Sequence, residues 1–242
     1  MSLTTSITNL TEQVTQLIQT VDQQDDVVRQ KINELAAMAP RLVRTIYVDA
    51  ANGDDGNDGF APTTAVATLD EALRRGVRGG VTVIRLLSDI GHSVWTPAPE
   101  GHVRVEGWDA ATEMQVQRTI TYGSVASNRT EYVAGIEGPA GGLLWWGAIH
   151  HHLPASGDVL ESNSVHVMWR GGAVVYFACD ITSEVNADTC LIRAAHAVTS
   201  VGFYNTTIAA DVAAGTGRLF YGVPANADPN DTWNIITNIT QN

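Results

Sequence analysis

The stretch "IYVDAANGDDGNDGFAPTTAVATLDEAL", Ile46 to Leu73, decides how the chain reads. It starts as a short β-like run, breaks into a loop dense in Gly, Asp and Asn, and ends in a helix-like segment. Three readings compete for the loop: a metal site, a phosphate cradle and a set of structural turns. An EF-hand fails on spacing. With Asp54 in first place, Gly59 fits the required glycine, but the twelfth place, which needs a bidentate acid, is Ala65. A different calcium site through Asp54, Asp55 and Asp58 stays open. A phosphate cradle fails because G-x-x-x-x-G-K-[ST] is absent and an acidic loop repels phosphate. The structural reading needs no ligand. Gly53, Gly56 and Gly59 permit positive φ, while Asp49, Asp54, Asn57 and Asp58 can bond their own backbone. Thr68 then caps a short helix, with Glu71 three residues later completing a capping box. Leu69, Ala72 and Leu73 give that helix one apolar face, suited to covering an exposed strand edge. No metal and no cofactor is expected.

Beyond this stretch the chain is a series of short β-like runs between turn clusters. "VTVIRLL" from Val81, "HVRVEGW" from His102 and "RTITYG" from Arg118 are followed by "SVHVMW", "AVVYFA", "CLIRAA", "TSVGFY", "GRLFYG" and "TWNIIT". They are rich in β-branched and aromatic residues and are separated by Gly, Asn, Asp, Ser and Pro. "YFACDIT" (Tyr176 to Thr182), "GFYNTTI" (Gly202 to Ile208) and "NIITNIT" (Asn234 to Thr240) share an apolar pair, a small or polar turn and then Ile. Such faint self-similarity suits a solenoid, in which each coil buries its apolar residues by stacking on its neighbours. A β-sandwich predicts a similar strand list.

Residues 1–42 read differently. Ile7, Val14, Val21, Val28, Leu35 and Leu42 fall at heptad position a, and Leu3, Leu10, Leu17, Gln24, Lys31 and Met38 fall at d. The other positions are mostly Thr, Gln, Asp, Glu and Asn. So narrow a stripe predicts an N-terminal coiled coil, limited by Pro40. A single amphipathic helix packed on its own domain is the alternative. The polar d layers at Gln24 and Lys31 can set register and strand number. The expected organisation is therefore a coiled coil over 1–42, for oligomerisation, and a β domain over 43–242 with a capping loop and short helix at 46–75.

Composition narrows the function. The chain has 242 residues, 14 Lys plus Arg against 26 Asp plus Glu, and a net charge of −12. That charge repels phosphate backbones, so nucleic acid is not an expected partner. No apolar run reaches the ~20 residues needed to span a bilayer, so no membrane insertion is expected. Met1 to Thr5 have neither a basic nor an apolar character, so no secretory signal is expected. Cys179 and Cys190 then read as reduced core residues. The triplets at Asn128 and Asn205 read as turns rather than glycosylation sites.

With its residues in place, a resemblance can be stated. "YVDAANGDDGNDG…ATLDEAL" resembles the opening of right-handed parallel β-helix proteins of the pectin-lyase-like type, above all those of tailed-phage tail fibres, tailspikes and head fibres. Tyr47, Val48, Asp49, Asn52, Gly53, Asp54, Asn57, Asp58, Gly59, Thr68, Leu69, Ala72 and Leu73 carry it. About 28 residues match closely, and the later runs match by pattern. The family's opening commonly runs into Pro-Phe-x-Thr, whereas here "TTAVA" separates Pro62 from Thr68. The resemblance implies an all-β, right-handed parallel β-helix, a homotrimer, and a virion protein on the particle exterior. It would attach to other virion proteins through its N-terminal end and contact host-surface polysaccharide outward. A polysaccharide depolymerase and a purely structural head-vertex or baseplate adaptor are the alternatives.

Candidate sites are few. Glycoside cleavage needs two carboxylates at a defined separation. Asp180, Glu184, Asp188 and Asp211, with Glu161, are the fallback candidates, and none sits in a recognisable signature, so no enzyme is expected. Within "GGLLWWGAIHHH", Trp145 and Trp146 alternate if extended, so one can face a core and the other a glycan or partner. His150, His151 and His152 alternate likewise and cannot all reach one ion. All six Trp and all six Tyr follow residue 46, which places binding capacity in the β domain.

Overall fold

The computed structural model describes residues 13, 14, 16, 23, 24, 31, 42–126, 131–154, 164–184, 189–209, 212 and 219–239. The chain divides into two compact units, Met1–Leu42 and Val43–Asn242. In the first, the described residues Gln13, Val14, Gln16, Gln23, Gln24, Lys31 and Leu42 are helical and exposed. Val14, at an a position, is 47% exposed. Ile7, Leu10, Leu17, Val21, Val28, Leu35 and Met38 lie outside the described residues.

The second unit is all-β and its main sheets are parallel, as expected. After β1 (Val43–Val48), the chain deals its strands onto three sheets in turn. The first circuit is β2 (Gly80–Leu86), β3 (Ile90–His92) and β4 (Trp95–Pro97). The second is β5 (Gly101–Asp109), β7 (Arg118–Tyr122) and β10 (Gly135–Glu137). It is interrupted by β6 (Met114–Gln115), which folds back on β5, and by the antiparallel pair β8 (Ser124–Ala126) and β9 (Glu131–Val133). The third is β11 (Leu143–Gly147), β12 (Ile149–Leu153) and β13 (Ser164–Met168). The fourth is β14 (Gly172–Phe177), β15 (Asp180–Ser183) and β16 (Cys190–Ala194), and the fifth begins with β17 (Thr199–Tyr204) and β18 (Thr207–Ile208). β19 (Ile235–Thr237) adds to β17. Sheet I is thus β1-β2-β5-β11-β14-β17-β19, sheet II β3-β7-β12-β15-β18, and sheet III β4-β10-β13-β16.

The corners explain the repeats. Trp146, Tyr176 and Phe203 are in register in sheet I, as are Gly147, Phe177 and Tyr204. The next residues, Ala148, Ala178 and Asn205, all take positive φ near 50° and turn the chain into sheet II. "YFACDIT" and "GFYNTTI" are therefore equivalent pieces of successive circuits. "NIITNIT" is not equivalent: Ile236 pairs with Ser200, several residues short of the corner. Its Asn238 instead caps Phe203, accepting from its N–H at 3.0 Å and donating to its O at 2.7 Å.

The opening loop closes the free edge of β1. Tyr47 N–H donates to Gly59 O at 2.8 Å, Val66 N–H to Tyr47 O at 3.0 Å, and Asp49 N–H to Val66 O at 2.8 Å. Loop backbone, rather than the helix, satisfies the edge; helix α1 (Leu69–Arg74) buries Leu69, Ala72 and Leu73 in the core. A Cβ at Gly53 would lie 2.4 Å from Val66 O, so this close approach needs glycine. Asp49, Asp54 and Asp58 accept from N–H groups two residues on, at 3.0, 2.8 and 3.0 Å. Each aspartate is thus occupied by the loop itself, and among the described residues no group of His, Cys, Asp and Glu could hold a metal ion.

Only half of the capping box forms. Thr68 Oγ1 accepts from Glu71 N–H at 3.2 Å. The Thr68 N–H is taken not by Glu71 but by Asp55 Oδ1 at 3.0 Å, which also accepts from Ala67 N–H at 2.9 Å, while Asp55 Oδ2 accepts from Thr68 Oγ1 at 2.9 Å. The Glu71 carboxylate pairs with Arg74 and Arg75 instead. Arg75 also donates to Asp55 O at 2.5 Å and to Asn57 O, tying loop to helix. Replacing Asp55 with Ala strips three donors of a charged acceptor and is expected to lower stability by about 2–3 kcal/mol. Asp54→Ala, which frees only the exposed Gly56 N–H, should cost about 0.5 kcal/mol. Urea denaturation of the two variants checks the contrast.

Isoleucine dominates the inward columns of sheets II and III, broken by Thr96 in the first circuit and by histidine in the third. In sheet II the inward column reads Ile90, Ile120, His151, Ile181, Ile208, and in sheet III Thr96, Ile136, His166, Ile192. Trp146 stands at the same level in sheet I, and all three are fully buried. Tyr122 Oη lies 2.9 Å from His151 Nδ1 and 3.1 Å from His166 Nε2, and His166 Nδ1 lies 2.5 Å from Tyr176 Oη. Two opposite proton orders satisfy these bonds: Tyr176 donates to His166, His166 to Tyr122 and Tyr122 to His151, or each bond runs the other way. Either order leaves His151 Nε2 without a partner, and the indole of Trp146 packs edge-to-face 4.9 Å away.

Burial holds these imidazoles neutral. It drives His151 down to about 3, helped by His150, and lowers His166 well below its usual range, helped by His151 and His92. His92 is lowered too, chiefly by burial. All three folded values lie below the unfolded value of about 6.5. Their contribution to stability is therefore complete above about pH 6.5 and is lost as pH falls below it. Replacing His151 with Leu removes one such proton uptake. The fall in unfolding free energy from pH 6.5 to 4.5 should then be shallower by about 1.4 kcal/mol per pH unit. Denaturation midpoints measured across that range would refute this if both slopes coincide.

Candidate functional site

The three sheets present different outer faces. Sheet II is polar outside, with Thr119, Thr121, His150, His152, Asp180 and Thr182. His150 and His152 share Thr182 Oγ1, at 2.8 and 2.9 Å, while His151 points the other way into the core. Sheet III is buried on both faces at β13, where Val165 and Val167 are as inaccessible as His166 between them. Sheet I is apolar and aromatic outside and only partly covered.

The sheet I face is organised by one buried carboxylate. Glu106 is 1% exposed and accepts from Arg85 at 3.0 Å, Arg104 at 2.5 Å and Gln115 at 2.8 Å. Arg85 lies 3.5 Å over the Trp108 ring and 5.8 Å from that of Tyr47, whose hydroxyl it also reaches at 3.2 Å. Arg104 covers one side of Trp145 at 4.3 Å, and Phe177 stacks along it at 6.1 Å and 22°. A Cβ at Gly147 would lie 2.0 Å from the indole, so that glycine makes the room. Trp145 therefore offers an edge rather than a free face, and a sugar ring has no open side of the indole to stack on. Trp146 is fully buried and is no contact residue, because its position in the alternation faces inward.

Of the carboxylates proposed from sequence, Asp180 and Glu184 fall among the described residues. Asp180 accepts from Gln117 at 2.6 Å on the sheet II face. Glu184 stands four residues further along an extended segment, so the two Cα atoms are about 13 Å apart by strand geometry. Carboxyl pairs that cleave glycosides stand about 5–9.5 Å apart. Asp188, Asp211 and Glu161 lie outside the described residues. Cys179 and Cys190 are buried and form no disulfide, and burial pushes the Cys179 thiol up to about 11, so it is no thiolate nucleophile.

A depression that sequence reasoning missed lies where sheet III turns into sheet I. It measures about 530 Å3 and is lined by Arg74, Arg78, Pro97, Pro99, Glu100, Glu137, Ala140 and Arg170, among others. That volume is typical of ligand sites. The side chains of Arg78, Arg170, Glu100 and Glu137 have no hydrogen-bonding or ionic partner among the described residues, unlike Arg74, which pairs with Asp70 and Glu71. Arg78 and Arg170 each start an Arg-Gly-Gly tripeptide whose first glycine, Gly79 or Gly171, takes φ near +70°. They hold equivalent turns before β2 and β14, three strand steps apart, or about 14 Å. Pro99 and Ala140 occupy the turns between and leave the hollow. The repeated "RGG" was the available signal.

No family model matches the chain, and neither a curated protein nor a solved structure matches it.

Proposed function

We propose that this chain is a virion fibre or spike protein: a right-handed parallel β-helix behind an N-terminal coiled coil, assembled as a homotrimer. Its N-terminal unit attaches to the particle, and its β unit binds an acidic host-surface glycan at the corner depression. The carrying observation is the strand order, in which successive circuits visit three parallel sheets behind an opening that folds back on β1. A coil of that kind needs an end cover, and the motif that carries the resemblance is the segment that provides it. The heptad at residues 1–42 supports self-association, and the resemblance supports three copies and attachment through this end.

Glycan binding at the corner is supported by chemistry. Unpaired arginine forks suit carboxylates on acidic sugars, and Glu100 and Glu137 suit sugar hydroxyls, which donate to them. Binding at many copies per particle would supply avidity without bond cleavage. The full-length protein is expected to bind an acidic capsular polysaccharide on a glycan array. The double variant Arg78→Ala, Arg170→Ala should bind at least tenfold more weakly. Equal binding by this variant removes the corner from the proposal.

Glu100 and Glu137 also favour a second reading, a depolymerase, since two unpaired carboxylates line one depression. Release of reducing ends from the bound polysaccharide, abolished in Glu100→Gln or Glu137→Gln, would replace adhesion with catalysis.

A further inference from the structure

We infer that the outer face of sheet I is where copies of this chain pack against one another. The inference rests on the homo-oligomeric reading above and names its contact surface. Three observations carry it. First, sheet I is the face with apolar side chains left open. Phe177 is 43% and Tyr204 53% exposed, with Leu143, Val175 and Ile236 on the same side, whereas sheet II is polar and β13 of sheet III is already covered. Open apolar surface of this kind marks association sites.

Second, the charges of this face are already paired. Glu106 holds both Arg85 and Arg104, and Arg85 is further held by Tyr47. Covering the face leaves no ion unpartnered, which is the usual penalty of burying one. The copies each carry −12, so they repel wherever unpaired acids meet. Glu106 is the only acid in the outward columns of sheet I through β5, β11, β14 and β17, and it is buried and neutralised there. A second copy can thus approach on this face with least repulsion.

Third, the size fits. Seven parallel strands about 4.8 Å apart and about 20 Å long give a face of about 600 Å2. In the proposed trimer three such faces meet and bury about 1,800 Å2 in all, the scale of a specific interface.

Sedimentation and thiol labelling of the full-length chain test this. Ser200→Cys places a thiol on the exposed sheet I face, and Thr121→Cys places one on the exposed sheet II face. The native thiols are buried. In the oligomer, Cys at 200 should react with a maleimide at least tenfold more slowly than Cys at 121. Val175→Glu should raise the concentration at which the chain dissociates at least tenfold, while Thr121→Glu leaves it unchanged. Should Val175→Glu misfold by circular dichroism, the labelling ratio decides alone. A monomer, or an oligomer with equal labelling rates, overturns the inference. So does protection at 200 that appears only when another virion protein is added. Loss of glycan binding in the corner variant leaves these outcomes untouched, so the two proposals fail separately.

Discussion

Three backbone hydrogen bonds make the β unit possible as a finite object. Tyr47 N–H to Gly59 O, Val66 N–H to Tyr47 O and Asp49 N–H to Val66 O give the first strand of sheet I a second neighbour. A stack of parallel strands can otherwise be extended by any strand that meets its edge. Every feature of the opening loop serves that return. Gly53 admits Val66 to contact, the aspartates fold the turns upon themselves, and Asp55 with Arg75 fastens the loop to the start of α1. The acidity that suggests a cation site is consumed by backbone N–H groups. The loop thus carries its own counter-charges as amide dipoles and arginine.

Once the edge is closed, the interior follows from register. Each circuit places one side chain above its equivalent in the last, so Ile recurs down the inward columns of sheets II and III, with Thr96 at the first level of sheet III. The third circuit breaks this with Trp146, His151 and His166 at one level. A polar layer in a core must be satisfied or it destabilises. Here Tyr122 from the circuit before and Tyr176 from the circuit after supply the hydroxyls. The layer therefore joins three circuits through side chains as well as backbone. It stays neutral because burial denies the imidazoles their protons.

What was legible in the sequence was local or alternating. The β-rich character, the turns of the opening, the opposed directions of Trp145 and Trp146, and the split of His151 from its neighbours all depend on residues within a few positions of one another. The corner equivalence of "YFACDIT" and "GFYNTTI" was visible because φ-positive turns constrain composition. What was not legible depends on circuits that bring distant segments together. Asp55 reaches Thr68 only after the loop closes, so the capping box looked complete without it. Glu106 and its two arginines span β2 and β5, and Arg78 and Arg170 share a depression though many residues separate them. The heptad could be read only as pattern, since most of its seam lies outside the described residues.

The division of labour among the outer faces follows from what each circuit can spare. A residue on a strand is fixed by its neighbours above and below, so strand faces suit broad, flat contact. Turn residues answer to fewer constraints: Gly79 and Gly171 set the backbone while Arg78 and Arg170 project freely. Sheet I has used its arginines internally, stacking them on Trp108 and Trp145, and what remains outward is hydrocarbon. The corner has left its arginines and glutamates unpaired. A surface with satisfied charges loses little when another protein covers it, whereas one with unpaired forks gains most from a ligand that supplies the missing atoms. That contrast is why we propose the flat face for assembly and the corner for recognition, and it rests on which charges already have partners rather than on where they sit along the chain.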